Sequence, residues 1–209
     1  GFLAGATPPR EPSLSFGGNK NAVSNFSATF ISSPQAMETR ASRGLEQIIG
    51  TLSDRTGLRV LDLAGARTET ITFLANMGHR VTSDDIQFAL DTCFGGGDFL
   101  VNQEDPERIE KFQALSLDYP EQEFDAALAW DSLQYFTPRL MAEVVGQLYR
   151  VMRPGAQLLA MFHAESTAGQ APLCYYRIQD NKTVQVLPKG GHRPYRFLNN
   201  REIEKAFTG

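Results

Sequence analysis

The stretch "RVLDLAGARTETITFLANMGHRV", residues 59–81, decides the fold of this chain. It contains a short apolar run, a tight loop, a helical segment and the start of a second apolar run at His79. The first run predicts a buried strand over 58–63, and the pattern from Glu69 to Met77 predicts a helix. A strand, a tight loop and a helix in this order indicate the first unit of an α/β sheet, with the loop at the carboxyl end of the strand.

The alternation of strand and helix continues to residue 163. Further strands are predicted over 79–83, 113–116, 124–129 and 157–162, and a helix over 138–152. Strands that alternate with helices pair in parallel through right-handed crossovers. The predicted fold is therefore α/β: a Rossmann-like, doubly wound, mostly parallel sheet with helices on both faces.

The regions on either side of this core differ from it in composition. Residues 1–34 are rich in Gly, Pro, Ser and Asn, which predicts a poorly structured N-terminal arm. The remainder, 35–209, is predicted to form one domain. Its parts are an N-terminal helix over 35–52, a core over 58–163, and a C-terminal region over 164–209 that has a hairpin of strands 175–179 and 183–187 and a final helix over 200–207.

Composition excludes several classes of function. The chain has 209 residues, 42% of them hydrophobic, which is ordinary for one globular domain. A net charge of -4 argues against bulk electrostatic binding of nucleic acid, and no apolar run is long enough to cross a membrane. Cys93 and Cys174 lack a CxxC spacing, so we expect free thiols and a cytoplasmic location. The three histidines fit no metal-ligand spacing, so no metal site is expected.

Four segments resemble the class I S-adenosylmethionine-dependent methyltransferases, in particular the small-molecule methyltransferase domains. The segments are "RVLDLAGART", "HRVTSDDI", "LDYPEQEFDAALAWDSLQYF" and "LYRVMRPGAQLLAMF". The resemblance implies S-adenosylmethionine as cofactor and covers residues 40–163 well and 195–207 more loosely.

The resemblance also implies which residues hold the cofactor. Asp62 takes the acidic position at the end of the first strand, and Asp85 takes the position of the carboxylate that accepts the ribose hydroxyls. Ile86 would lie against the adenine, and Gln113 would meet the adenine amino group. Three loop residues, one cation and two residues at the mouth of the fourth strand complete the expected cofactor site: Ala64, Gly65, Ala66, Arg67, Trp130 and Asp131.

The loop departs from the family at its glycines. The usual Gly-x-Gly-x-Gly is replaced by Ala64-Gly65-Ala66-Arg67-Thr68. Each alanine adds a methyl group where the cofactor and the backbone come close, although alanine still permits a tight turn if φ stays negative. We expect Thr68 to cap the following helix, and Arg67 to hold the carboxylate of the cofactor.

Three functions follow from this pattern. The first is methyl transfer from S-adenosylmethionine to a small-molecule acceptor. The second is a non-catalytic, methyltransferase-like protein that has lost cofactor binding and acts as an interaction module. The third, a nicotinamide-dependent oxidoreductase, is disfavoured because it requires Gly-x-Gly-x-x-Gly, where Ala64, Ala66 and Glu69 stand instead. No catalytic residue can be assigned; His163 and Tyr135 are the candidates.

The end of the chain raises a question about the edge of the sheet. The family closes its sheet with a seventh strand after the final helix, and no such strand precedes Gly209. An uncovered edge favours pairing with another chain. We therefore expect a homodimer, or a further strand from outside this sequence.

Overall fold

The computed structural model describes residues 13–16, 25–31, 34, 36–164 and 169–208. The strands are β1 Ser13–Phe16, β2 Asn25–Ile31, β3 Glu38–Ala41, β4 Arg59–Asp62, β5 Arg80–Ser83, β6 Phe124–Trp130, β7 Met152–His163, β8 Gln170–Ile178 and β9 Thr183–Pro194. The helices are α1 Arg43–Ser53, α2 Thr68–Asn76, α3 Ile86–Phe94, α4 Phe99–Asn102, α5 Pro106–Leu115, α6 Pro138–Val151 and α7 Asn200–Thr208, with a 3₁₀ turn at Ser132–Tyr135.

Six strands form the main sheet, in the order β1, β2, β7, β6, β4, β5. Every neighbouring pair is parallel except β1 and β2, which are antiparallel. One apolar cluster joins the sheet to α3, α5, α6 and α7, and a second joins it to α1 and α2, so helices cover both faces. The prediction of an α/β, mostly parallel, doubly wound sheet is confirmed.

The central strands are apolar on both sides because both of their faces are covered. β6 is buried along nearly its whole length, and β7 is buried from Ala156 to His163. The carboxyl ends of β4, β6 and β7 lie side by side, and the residues that follow these strands meet at this edge. A ligand of such a sheet binds at this edge.

The prediction of a poorly structured arm over 1–34 needs correction in its second part. β2 pairs in parallel with β7, and Phe26, Ala28 and Ile31 are buried. Phe26 also stacks on Phe207 of α7, with the ring centroids 4.1 Å apart. The alternation of apolar residues in "NFSATFI" fits a strand. An N-terminal strand therefore covers the edge of β7. The sequence analysis expected this edge of the sheet to be uncovered. Residues 1–12 and 17–24 lie outside the described chain.

Two other elements differ from the prediction. The strand expected over 113–116 falls at the end of α5, because the helix begins at Pro106, with Asp105 as its cap, and runs to Leu115. The helix expected over 35–52 begins only at Arg43, where the Ser42 side chain accepts a hydrogen bond from the Leu45 backbone N–H. Residues Glu38–Ala41 before it form β3.

The hairpin of β8 and β9 is longer than the one predicted over 175–187, and it pairs with β3 in a three-stranded antiparallel sheet. Tyr176, Ile178, Val184 and Val186 point from it into the apolar cluster beside α1. The hairpin is therefore packed onto the body of the protein next to the carboxyl ends of the parallel strands. None of the described helices combines the length and the apolar character needed to span a bilayer.

Candidate functional site

The turn between β4 and α2 is built around one glycine. Gly65 has φ of +77°, a conformation that glycine adopts without strain, whereas neither Ala64 nor Ala66 has a positive φ. The Gly65 N–H donates to the Asp84 carbonyl at 3.0 Å. A Cβ added to Gly65 would lie 3.0 Å from Asp85 Oδ2. The two alanines are thus compatible with the turn, and the one remaining glycine stands where the backbone approaches Asp85.

Asp84 and Asp85 follow β5 and have different environments. Asp84 is buried, and its carboxylate accepts hydrogen bonds from Ser116 Oγ (3.1 Å), the Leu117 N–H (2.9 Å) and Tyr119 OH (3.3 Å). Asp85 is exposed, and its Oδ1 accepts the Phe88 N–H at 3.0 Å as the cap of α3. Asp84 therefore anchors the segment before β6, while Asp85 presents its carboxylate to the pocket beside the turn.

Asp62, at the end of β4, is fully buried. Its Oδ1 accepts hydrogen bonds from Trp130 Nε1 at 2.7 Å and from the Ala64 N–H at 3.1 Å, and its Oδ2 has no partner among the described residues. Burial raises the pKa of Asp62 from 3.8 to about 6, although these two bonds and the charge of Arg67 oppose the rise. This carboxylate is therefore held inside the protein by an indole.

Trp130 closes this side of the site. It is 2% exposed, and its indole stacks on the ring of Tyr176 at 5.4 Å. Its φ of +51° is unusual for a bulky residue and carries backbone strain. The bond to Asp62 and the stack on Tyr176 hold the strained residue in place.

Asp131 brings the two catalytic candidates together. Its Oδ2 accepts a hydrogen bond from Tyr135 OH at 3.1 Å and lies 3.2 Å from His163 Nε2. All three side chains are buried, and burial together with the charge of Asp131 raises the pKa of Tyr135 well above its ordinary value. Of the three, only Asp131 lines the pocket, so His163 and Tyr135 lie behind it.

The hairpin covers the mouth of the pocket. The Tyr175 ring lies 3.9 Å from Arg67 Cζ and 5.5 Å from Lys189 Nζ. Leu173, Cys174 and Tyr176 also line the pocket from β8. The remaining cavity has a volume of about 20 Å³, which is room for roughly one water molecule. As it stands, the pocket is closed by the protein's own side chains.

Most of the predicted cofactor residues meet here, and three do not. The pocket is lined by Ala64, Arg67, Asp85, Trp130 and Asp131, with Gly65 against Asp85 and Asp62 beneath Trp130.

Ile86 and Gln113 lie elsewhere, and Ala66 is exposed on the turn without lining the pocket. Ile86 is fully buried in the core. Gln113 lies on α5 and donates to Glu143 of α6 at 3.1 Å, because the segment expected to be a strand is helical. The expected cap at Thr68 is also absent: α2 begins at Thr68, and its cap residue Arg67 makes no side-chain bond to it. Sequence reasoning missed the position of Tyr175 at the pocket mouth, for which the hairpin pattern gave no functional signal.

The sequence was compared with known protein families and with curated proteins, and neither comparison gave a match. Comparison with solved structures found 1,6-didemethyltoxoflavin-N1-methyltransferase from Burkholderia thailandensis, in a complex with 1,6-didemethyltoxoflavin and S-adenosylhomocysteine, at 14% identity over 74% of this chain and 80% of that chain, with a TM-score of 0.36. It also found a TehB-like SAM-dependent methyltransferase from Corynebacterium glutamicum, at 12% identity over 70% of this chain and 88% of that chain, with a TM-score of 0.33. Neither similarity assigns an acceptor to this chain.

Proposed function

We propose that this protein is an S-adenosylmethionine-dependent methyltransferase that acts on a small-molecule acceptor. One observation supports this best: the exposed carboxylate of Asp85 lies against the Gly65 turn, at the carboxyl ends of β4 and β5. In doubly wound sheets, a carboxylate in this place accepts hydrogen bonds from ribose hydroxyls. Asp85 Oδ2 remains available for this role because only Oδ1 caps α3.

The residues fit one end of the cofactor better than the other. Asp85 and Gly65 would hold the ribose, and Trp130 and Asp131 would lie beside the methionine end. That end needs space, because ligand pockets usually measure several hundred Å³, and the closed cavity has about 20 Å³. Arg67 and Tyr175 occupy the mouth and are only half-buried. Binding therefore requires these two side chains to move.

The cofactor would supply an activated methyl group, so the chain needs mainly to position the acceptor. The described residues at the mouth provide no strong base. Burial raises the pKa of the Cys174 thiol to about 12, which keeps it protonated at neutral pH. Tyr135 is protonated for the same reason, and His163 is buried behind Asp131. We infer an acceptor whose reacting atom is nucleophilic without the removal of a proton by a strong base.

A second candidate function is a non-catalytic protein that keeps this fold. The closed side of the pocket supports it, because Trp130 and Tyr176 are core residues and Asp62 is bonded within the protein. In this candidate the stacked rings stabilise the domain in place of a cofactor, and the protein acts through its surface as an interaction module.

Titration calorimetry with S-adenosylmethionine and S-adenosylhomocysteine separates the two candidates. Methyl transfer predicts saturable binding that is lost in Asp85→Ser, because serine keeps the cap of α3 and removes the carboxylate. Asp98→Ala is the matched control, since Asp98 caps α4 through the same kind of bond away from the pocket. It should bind like the parent protein, and NAD should not bind. If a folded protein gives no heat with either ligand at millimolar concentration, the non-catalytic function is supported instead.

A further inference from the structure

Two cations lie together at the pocket mouth. Arg67 precedes α2, and Lys189 belongs to β9, so the fold brings them together from distant parts of the chain. Among the described residues, neither forms an ion pair. The chain has 24 acidic and 20 basic residues, so acids are not scarce. The charge of Arg67 interacts with the buried carboxylate of Asp62 but forms no ion pair with it, so both cations can still take up an anion.

Arg67 also carries a buried donor that is not used. Its Nε has no hydrogen-bond partner within the described protein. Because buried donors are almost always paired, an unpaired N–H beside a pocket favours a ligand that brings a hydrogen-bond acceptor. The first turn of α2 lies beside it without a side-chain cap. Its free N–H groups add partial positive charge at the same place.

The Tyr175 ring occupies the place where an anionic group bonded to these two cations would lie. It lies within 3.9 Å of Arg67 Cζ and 5.5 Å of Lys189 Nζ. A cation held by an aromatic ring makes a weaker and less directional contact than one bonded to a phosphate or carboxylate. An incoming anion would therefore draw both cations from the ring and free Tyr175 to leave the mouth.

We propose that Arg67 and Lys189 form a binding site for a carboxylate or phosphate group of the acceptor, and that Tyr175 covers this site until the acceptor arrives. The proposal rests on the proposed function and adds a substrate class to it. Two carboxylates line the same pocket, but Asp131 is bonded to Tyr135 and Asp85 faces the Gly65 turn. The substrate class is thus a small anionic molecule.

The first test uses Trp130, the single tryptophan of the chain, which lines the pocket with Arg67. Its fluorescence is followed while inorganic phosphate is added at constant ionic strength. The parent protein should show a saturable change. Lys189→Ala, at an exposed position, and Arg67→Gln should each weaken it about tenfold, which is the effect of losing one charge-assisted bond.

Lys182→Ala is the matched control, because Lys182 is an exposed cation in the turn between β8 and β9 and does not line the pocket. It should bind phosphate like the parent protein. The proposal is overturned if the parent signal does not saturate, or if Lys182→Ala loses as much affinity as Lys189→Ala. Circular dichroism of each variant shows that it is folded.

The second test asks whether the anion belongs to the acceptor or to the cofactor. S-adenosylhomocysteine carries a carboxylate, and methylthioadenosine lacks the whole amino acid part. If the cations serve the acceptor, Lys189→Ala leaves calorimetric binding of both unchanged. If it weakens only S-adenosylhomocysteine, the acceptor assignment is wrong. If phosphate binds but neither adenosyl ligand does, the proposed function fails and the anion site remains.

Discussion

Asp62 ends β4 and Asp85 follows the neighbouring parallel strand β5, at the same edge of the sheet, yet they are in opposite environments. Asp62 is fully buried and bonded to Trp130, whereas Asp85 is exposed and retains a free carboxylate oxygen. The closed side of the site is therefore part of the core, and the open side is a surface that packing does not hold. The difference shows that this fold can keep the ribose position of a cofactor site while apolar rings fill the remainder.

The largest expected difference in stability is between aromatic residues on the two sides of the site. Trp130→Ala should lower the free energy of unfolding by about 3–5 kcal/mol, the usual cost of removing a large buried ring. Phe88→Ala on α3, where the ring is 62% exposed, should change it by less than about 0.5 kcal/mol. Urea unfolding followed by circular dichroism measures both. Similar losses for the two variants would mean that the sides do not differ.

The second prediction concerns the pH dependence of stability that Asp62 creates. The pKa of Asp62 is about 6 in the folded protein and near 3.8 in an exposed carboxyl group. The folded state therefore binds more protons between these values, and stability falls as pH rises from about 4 to 6. The full loss is about 3 kcal/mol, at about 1.4 kcal/mol per pH unit.

Asp62→Asn should remove this dependence, because asparagine keeps an acceptor for Trp130 and carries no charge. Burial also raises the pKa of Asp84, so the quantity to measure is the difference in unfolding free energy between parent and variant at pH 4 and at pH 7.5. The variant should gain on the parent as pH rises. A constant difference across this range would show that Asp62 titrates normally.

The sequence predicts the open side of the site better than the closed side. The apolar runs, the helix at Glu69 and the acid at the end of β5 follow from local patterns, which depend on residues close in the chain. The bond between Trp130 and Asp62 joins residues 68 positions apart, and the Tyr175 contact joins the hairpin to Arg67. Which ring fills a pocket depends on packing between distant segments, and no local pattern contains it. The pairing of β2 with β7 was missed for the same reason.

The third prediction tests how little the open side contributes to the free energy of unfolding. Asp85→Ala should lower the free energy of unfolding by about 1 kcal/mol, because it removes the cap of α3 and breaks no buried bond. Asp85→Ser should stay close to the parent, since serine also caps. Asp98→Ala should lose about as much as Asp85→Ala through α4. A much larger loss for Asp85→Ser would mean that the carboxylate supports the fold at the Gly65 turn.

The smallest expected effect shows whether Tyr175 belongs to the closed side or to the open side of the site. Tyr175→Ala should lower stability by only about 0.5–1 kcal/mol, because it removes a contact with Arg67 at a half-buried site. Tyr175→Phe keeps the ring and is the matched control. Tyr176 still anchors β8 on Trp130 in both variants. Acrylamide should then quench Trp130 more strongly in Tyr175→Ala than in Tyr175→Phe, because only the alanine opens the mouth. If Tyr175→Ala instead costs as much as Trp130→Ala, the mouth belongs to the core, and the non-catalytic function becomes the better supported one.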